Sequence, residues 1–257
     1  MPITYESKLQ DLSNITNKVS KKNTEAMKLY IRARALFIQR LFKESVQAYL
    51  QSLMFDRTNP TIYIDLAIAY RELGEFEKSI DALDKASKLD NNNLKIFLEK
   101  GITYSYMGKH KQALENVRNA VSRDNNNPEI LLQLALAHEA SEEYDFALMI
   151  YDVILEKHPA FYAAQQNKAA LFMELKEYQV AATIFQDILK KNPNFHRAYL
   201  GVAVCFDHLQ EYGSALRYYR KFMLKKPNSK SIPDVLIRIN EIKQILDKRL
   251  TSSLHLC

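Results

Sequence analysis

Cys205 and His208 stand three residues apart in a stretch with helical apolar spacing. A thiolate and an imidazole so placed could share a metal ion or a proton. The surrounding pattern assigns Cys205 to the packed side of its helix and His208 to the groove side. Cys205 therefore reads as a small buried hydrophobe rather than a ligand. No other group of residues offers stronger chemistry. The chain has no glycine-rich phosphate loop, no His-Glu-x-x-His pair and no Cys-x-x-Cys. Its six histidines are scattered, and His110 and His138 fall where packing residues belong. Carboxylates alternate with bases, as on solvated helix faces. The expectation is no catalytic residue, no cofactor, no metal and no small-molecule substrate: a binding protein, not an enzyme.

Composition narrows the class further. The 257 residues include only 5 Gly and 7 Pro, too few turn formers for a β-rich fold. No run reaches the ~20 apolar residues of a membrane span, and the N-terminus has no compact apolar core of a secretory signal. Two cysteines make no disulfide framework, which places the chain in a reducing, cytoplasmic setting. The net charge of +6 is uneven. Residues 1–25 carry four bases and three acids (+1), residues 26–216 carry 22 and 24 (−2), and residues 217–257 carry ten and three (+7). The basic excess belongs to one end, which argues against a nucleic-acid-binding body.

The elements that position these residues repeat. Asp90-Asn91-Asn92-Asn93 recurs as Asp124-Asn125-Asn126-Asn127, 34 residues later. Ser45, Ser79, Ala113, Ala147, Ala181 and Ala215 lie on the same spacing. A fixed period of this size marks a stacked array, which presents an extended surface rather than an enclosed site. Setting the phase by the Leu73-Gly74 turn gives repeats at 26–59, 60–93, 94–127, 128–161, 162–195 and 196–229. Each holds two amphipathic helices. The small residue lets the two helices approach. An aromatic comb (Phe42, Phe76, His110, Tyr144, Tyr178, Tyr212) and a bulky one seven residues later (Tyr49, Leu83, Val117, Tyr151, Phe185, Tyr219) fill the space between pairs. Pro159, Pro193 and Pro227 stop the second helices.

This pattern resembles the tetratricopeptide repeat. The second repeat reads Tyr63, Leu66-Ala67, Tyr70, Gly74, Ser79, Leu83, Ala86; the third reads Phe97, Gly101, Tyr104, Gly108, Ala113, Val117, Ala120. The sixth reads Tyr199, Ala203, Phe206, Ala215, Tyr219, Pro227. The first departs most, with Gln39-Arg40 in place of Leu-Gly and Arg57 in place of Pro. The resemblance implies an all-α, right-handed α-solenoid superhelix of helix-turn-helix repeats. A segment at 1–25, with Leu9, Leu12, Ile15 and Val19 at helical spacing, precedes the array as an arm or weak helix. A capping helix at 230–250 follows, with Val235, Leu236, Ile239, Ile242, Leu246 and Leu250 as its apolar stripe. Residues 251–257 read as a disordered tail.

The resemblance also implies that first helices line the concave face. There the phase places Ile64, Ile68, Leu98, Ile102, Leu132 and Leu136 as an aliphatic strip. Asp65, Glu99 and Asp207 are among the acids around it. A peptide segment of a protein partner is expected to dock on that strip. Some relatives clamp an acidic chaperone tail with five basic or amide residues on three repeats. Here Asn167 and Arg197 match two such positions, but Leu132, Leu136 and Gly201 take the others, and a carboxylate needs convergent donors. The expected work is that of an adaptor, co-chaperone or assembly scaffold. The alternatives are a self-assembling structural subunit, or capture of an acidic partner by Arg217, Arg220, Lys221, Lys225 and Lys226, with Arg238 nearby.

Overall fold

In the computed structural model, residues 24–254 are described. The predicted N-terminal arm lies outside them, apart from Thr24 and Glu25, as do residues 255–257. The described residues form thirteen α-helices and no strand. They divide into two compact units between Glu143 and Tyr144. The first holds α1 (Thr24–Ile38), α2 (Phe42–Phe55), α3 (Pro60–Glu72), α4 (Phe76–Leu89), α5 (Leu94–Tyr106), α6 (His110–Val121) and α7 (Pro128–Glu139). The second holds α8 (Tyr144–Lys157), α9 (Tyr162–Glu174), α10 (Tyr178–Lys191), α11 (His196–His208), α12 (Tyr212–Lys225) and α13 (Ile232–Leu254). The fold is an all-α array of tetratricopeptide helix pairs.

The turn inside every pair is built the same way. Arg40, Gly74, Gly108, Glu142, Lys176 and Gln210 all take positive φ, between 59° and 77°. At each, two backbone bonds close the first helix. Gly74 N–H donates to Arg71 C=O and Glu75 N–H to Tyr70 C=O, both at 2.9 Å; Gln210 donates to Asp207 and Glu211 to Phe206, again at 2.9 Å. This is the Schellman closure, which satisfies the last carbonyls of a helix. Only Gly74 and Gly108 are glycines. The other four hold a strained backbone inside the same bonds.

The links between repeats differ by unit. In the first, Asn59, Asn93 and Asn127 cap α3, α5 and α7 by accepting the N–H groups of Thr61, Lys95 and Glu129, at 3.0, 3.1 and 3.0 Å. An amide oxygen at this position satisfies a donor the helix cannot pair internally. In the second, Phe161 and Phe195 take the cap position without a side-chain bond. Their rings instead join the packing, Phe195 lying 5.8 Å from Tyr162.

Packing follows the combs. Ser45, Ser79, Ala113, Ala147, Ala181 and Ala215 are all buried to within 1%. Ser45 pays the polar cost of burial by donating its hydroxyl to Ala33 C=O at 2.8 Å. Gly101 sits so close to α6 that a Cβ there would stand 2.5 Å from Val117 Cγ2. The second comb is fully interior, from Tyr49 at 2% to Tyr219 at 4%. The first is only half-buried at Phe42, Phe76, Tyr144 and Tyr178, and His110 is exposed. The start of a second helix projects past its neighbour, so a packing aromatic is not required there.

The terminal helix corrects two expectations. Val235, Ile239 and Ile242 bury against α12, but Leu236 is 46% exposed. It lies about 100° round the helix from Val235 and so turns to solvent. The helix begins at Ile232 and runs to Leu254, past the expected end at Leu250 and into the segment read as a disordered tail. Thr251 to Leu254 contain no glycine or proline to stop it.

Candidate partner-binding site

Within the first unit the first helices α1, α3, α5 and α7 lie in successive contact. Of the predicted strip, Ile68, Leu98, Ile102 and Leu136 are half-buried, with part of each side chain open to solvent. Ile64 and Leu132 are buried, at 2% and 9%. Ile64 joins the core formed with Tyr30, Tyr49 and Leu66, so it supports the strip from beneath. The other two predicted contacts belong to the second unit, where Asn167 is half-buried and Arg197 exposed.

The charged groups around the strip are laced together. Asp65 accepts from Tyr30 Oη at 2.8 Å and Lys95 Nζ at 3.1 Å, with Arg34 Nε at 3.9 Å. Glu99 pairs with Arg71 at 2.5 Å, and both side chains are nearly buried. These contacts tie each first helix to the next and neutralise two of the acids expected to greet a basic peptide. The sequence carries a signal for them: opposite charges 28 to 30 residues apart on consecutive first helices. Burial, then the neighbouring Asp65, pushes the Tyr30 and Tyr49 phenols well above their usual range.

At the α1 end of the strip lies a cleft of about 500 Å³. Phe37, Ile38, Phe42 and Ile68 give it apolar walls, and Arg34, Arg40, Asp65 and Glu72 supply both signs of charge. Such a mixed surface suits an amphipathic protein segment. Sequence periodicity did not show this cleft, because it depends on how far α1 stands from α3.

Asp207 is not a groove acid. It is 9% exposed and accepts two bonds from Arg238 of α13, at 2.7 and 2.8 Å, and one from Tyr219 at 3.1 Å. Arg238 is thereby removed from the basic surface. Cys205 is fully buried, and burial pushes its thiol up to about 12. His208, expected over the groove, instead lies flat on Tyr178, with ring centres 4.3 Å apart. Phe76 and Tyr106 make the same contact in an earlier repeat.

The basic end keeps its charges outward. Arg217, Arg220, Lys221, Lys225 and Lys226 are all exposed. None makes an ion pair among the described residues; Arg217 reaches Ser214 at 3.4 Å and Lys225 reaches Asn194 at 3.3 Å. Their field is felt locally. His196 is held below its usual pKa, first by burial and then by Lys226 and Arg197.

A model of the coatomer epsilon subunit family matches residues 3–251, nearly the whole chain. The chain belongs to that family. A search of curated proteins finds no match. Solved structures agree on the fold. A tetratricopeptide repeat protein from Parabacteroides merdae overlays with a TM-score of 0.71 at 17% identity, covering 90% of this chain and 91% of that one. The Cut9-Hcn1 hetero-tetramer of APC/C overlays with a TM-score of 0.70 at 17% identity, covering 92% of this chain. This chain matches 47% of the length of that one. YrrB, described as a repeat protein with an unusual peptide-binding site, overlays at 0.51 and 16% identity, covering 76% of this chain and 99% of that one. At these identities the likeness is one of fold. Among the described residues of this coatomer epsilon family member, no helix is long and apolar enough to cross a membrane.

Proposed function

We propose that this chain is a non-catalytic scaffold subunit of a cytoplasmic coat complex, holding a segment of a partner subunit against the first helices of its first unit. The observation that carries this reading is the row Ile68, Leu98, Ile102 and Leu136, half-open on adjacent helices and continuous with the α1 cleft. Family membership supplies the coat complex. The peptide-binding site named for YrrB supports a fold able to take a chain segment. Covering the aliphatic row supplies affinity at about 25 cal/mol per Å² of apolar area. Because Asp65 and Glu99 are already paired, the partner is chosen by shape and apolar match more than by basic charge.

The test is affinity capture of coat-complex subunits from source-cell lysate with the native chain and with an Ile102→Lys, Leu136→Lys variant. Circular dichroism confirms that both are folded. The native chain should retain coat subunits and the variant should lose at least one of them. Equal capture by both would remove the strip from the binding surface.

A further inference from the structure

The outer face of α12 has a composition the scaffold role leaves unused. Tyr212, Ala215, Tyr219 and Phe222 bury one side of this helix. The opposite side carries Arg217, Arg220, Lys221, Leu224 and Lys225, and α12 contains no acidic residue. Leu224 is 82% exposed, more than any other large apolar side chain in the described residues. It stands one turn beyond Arg220 and Lys221 and two turns beyond Arg217, so the four share one face. A leucine left in water at the centre of a ring of unpaired cations is the arrangement that an anionic lipid surface satisfies. The cations meet headgroup phosphates and carboxylates, and the leucine enters the boundary with the acyl chains. An acidic protein segment would satisfy the cations but needs no exposed leucine. The outward face of a single helix also gives it no groove to lie in.

We propose that α12 is a peripheral membrane contact, docking on an anionic bilayer through Arg217, Arg220, Lys221 and Lys225 with Leu224 inserted among the headgroups. This surface is independent of the aliphatic strip and can fail or hold without it. The full chain is floated with vesicles of phosphatidylcholine alone and of phosphatidylcholine mixed with phosphatidylserine. The native chain should float with the mixed vesicles only, and salt should release it. An Arg217→Gln, Lys221→Gln variant should bind about 25-fold more weakly, at about fivefold per cation removed. Leu224→Ser should weaken binding several-fold while leaving its salt dependence unchanged. An Arg220→Gln, Lys225→Gln variant repeats the test should the first pair not fold. No flotation at low salt, or equal flotation of native and variant chains, would overturn the proposal. So would binding to soluble polyglutamate as tight as to vesicles with Leu224→Ser without effect, which would assign the face to an acidic protein.

Discussion

The guanidinium of Arg238 grips both carboxylate oxygens of Asp207, fastening the last helix to the end of α11. Glu241 holds the same guanidinium at 2.7 Å, and Tyr219 adds a hydroxyl to Asp207. The carboxylate is nearly buried, whereas the arginine is 39% exposed, so water screens part of the pair. Arg238→Ala should cost about 1–2 kcal/mol, the worth of a charged hydrogen bond discounted for that exposure. Urea unfolding gives the loss. Amide exchange should quicken in α13 and stay unchanged in α1–α6.

The left-handed turn residues allow a test of opposite signs. Gly74 has φ 77° and nothing within 4 Å of an added Cβ, so Gly74→Ala suffers backbone strain alone. It should destabilise by about 1 kcal/mol. Lys176 occupies the same turn at φ 63°. Lys176→Gly should stabilise by about 0.5 kcal/mol, strain relief outweighing the added freedom of the unfolded chain. Equal signs in thermal unfolding would refute the strain account.

At Gly101 the obstacle is packing, since its φ lies outside the left-handed range. An alanine there would press on Val117 Cγ2 at 2.5 Å and on Ala113 O at 3.3 Å. Gly101→Ala should cost about 1–3 kcal/mol. Trimming the obstacle with Val117→Ala should make the double variant less destabilised than the sum of the single ones.

Alkaline pH should unfold the protein through its interior phenols. Tyr30, Tyr49 and Tyr219 are all held above the usual phenol pKa of about 10, chiefly by burial and next by Asp65 or Asp207. Their contribution is full below pH ~10, where both folded and unfolded phenols are neutral. It falls as pH climbs toward the raised folded values, because the unfolded chain ionises first. Phenolate absorbance should show these three lagging the other tyrosines until circular dichroism is lost. Tyr219→Phe should lessen the alkaline loss.

The helix pairs and their spacing were legible because small residues must recur where backbones approach, and Ser45 to Ala215 do so without a break. The six positive-φ turns were legible only at Gly74 and Gly108. Arg40, Glu142, Lys176 and Gln210 bear no mark of a left-handed backbone in their side chains. Periodicity marked the strip but not its depth: Ile64 and Ile68 are one turn apart, and α1 covers the first more than the second. Asp207 looked like a groove acid because its partner lies 31 residues away, on a helix outside the repeat pattern. Pairing across that distance leaves no local trace.

The turn closures set a rule about length. Each is made by backbone atoms and works with glycine, arginine, glutamate, lysine or glutamine, so letters can change freely there. One inserted residue could not be absorbed. It would rotate the following helix by about 100° and swing its small residue out of the contact. A chain of this kind can drift far in composition while its count stays discrete, growing or shrinking by whole helix pairs rather than by single residues.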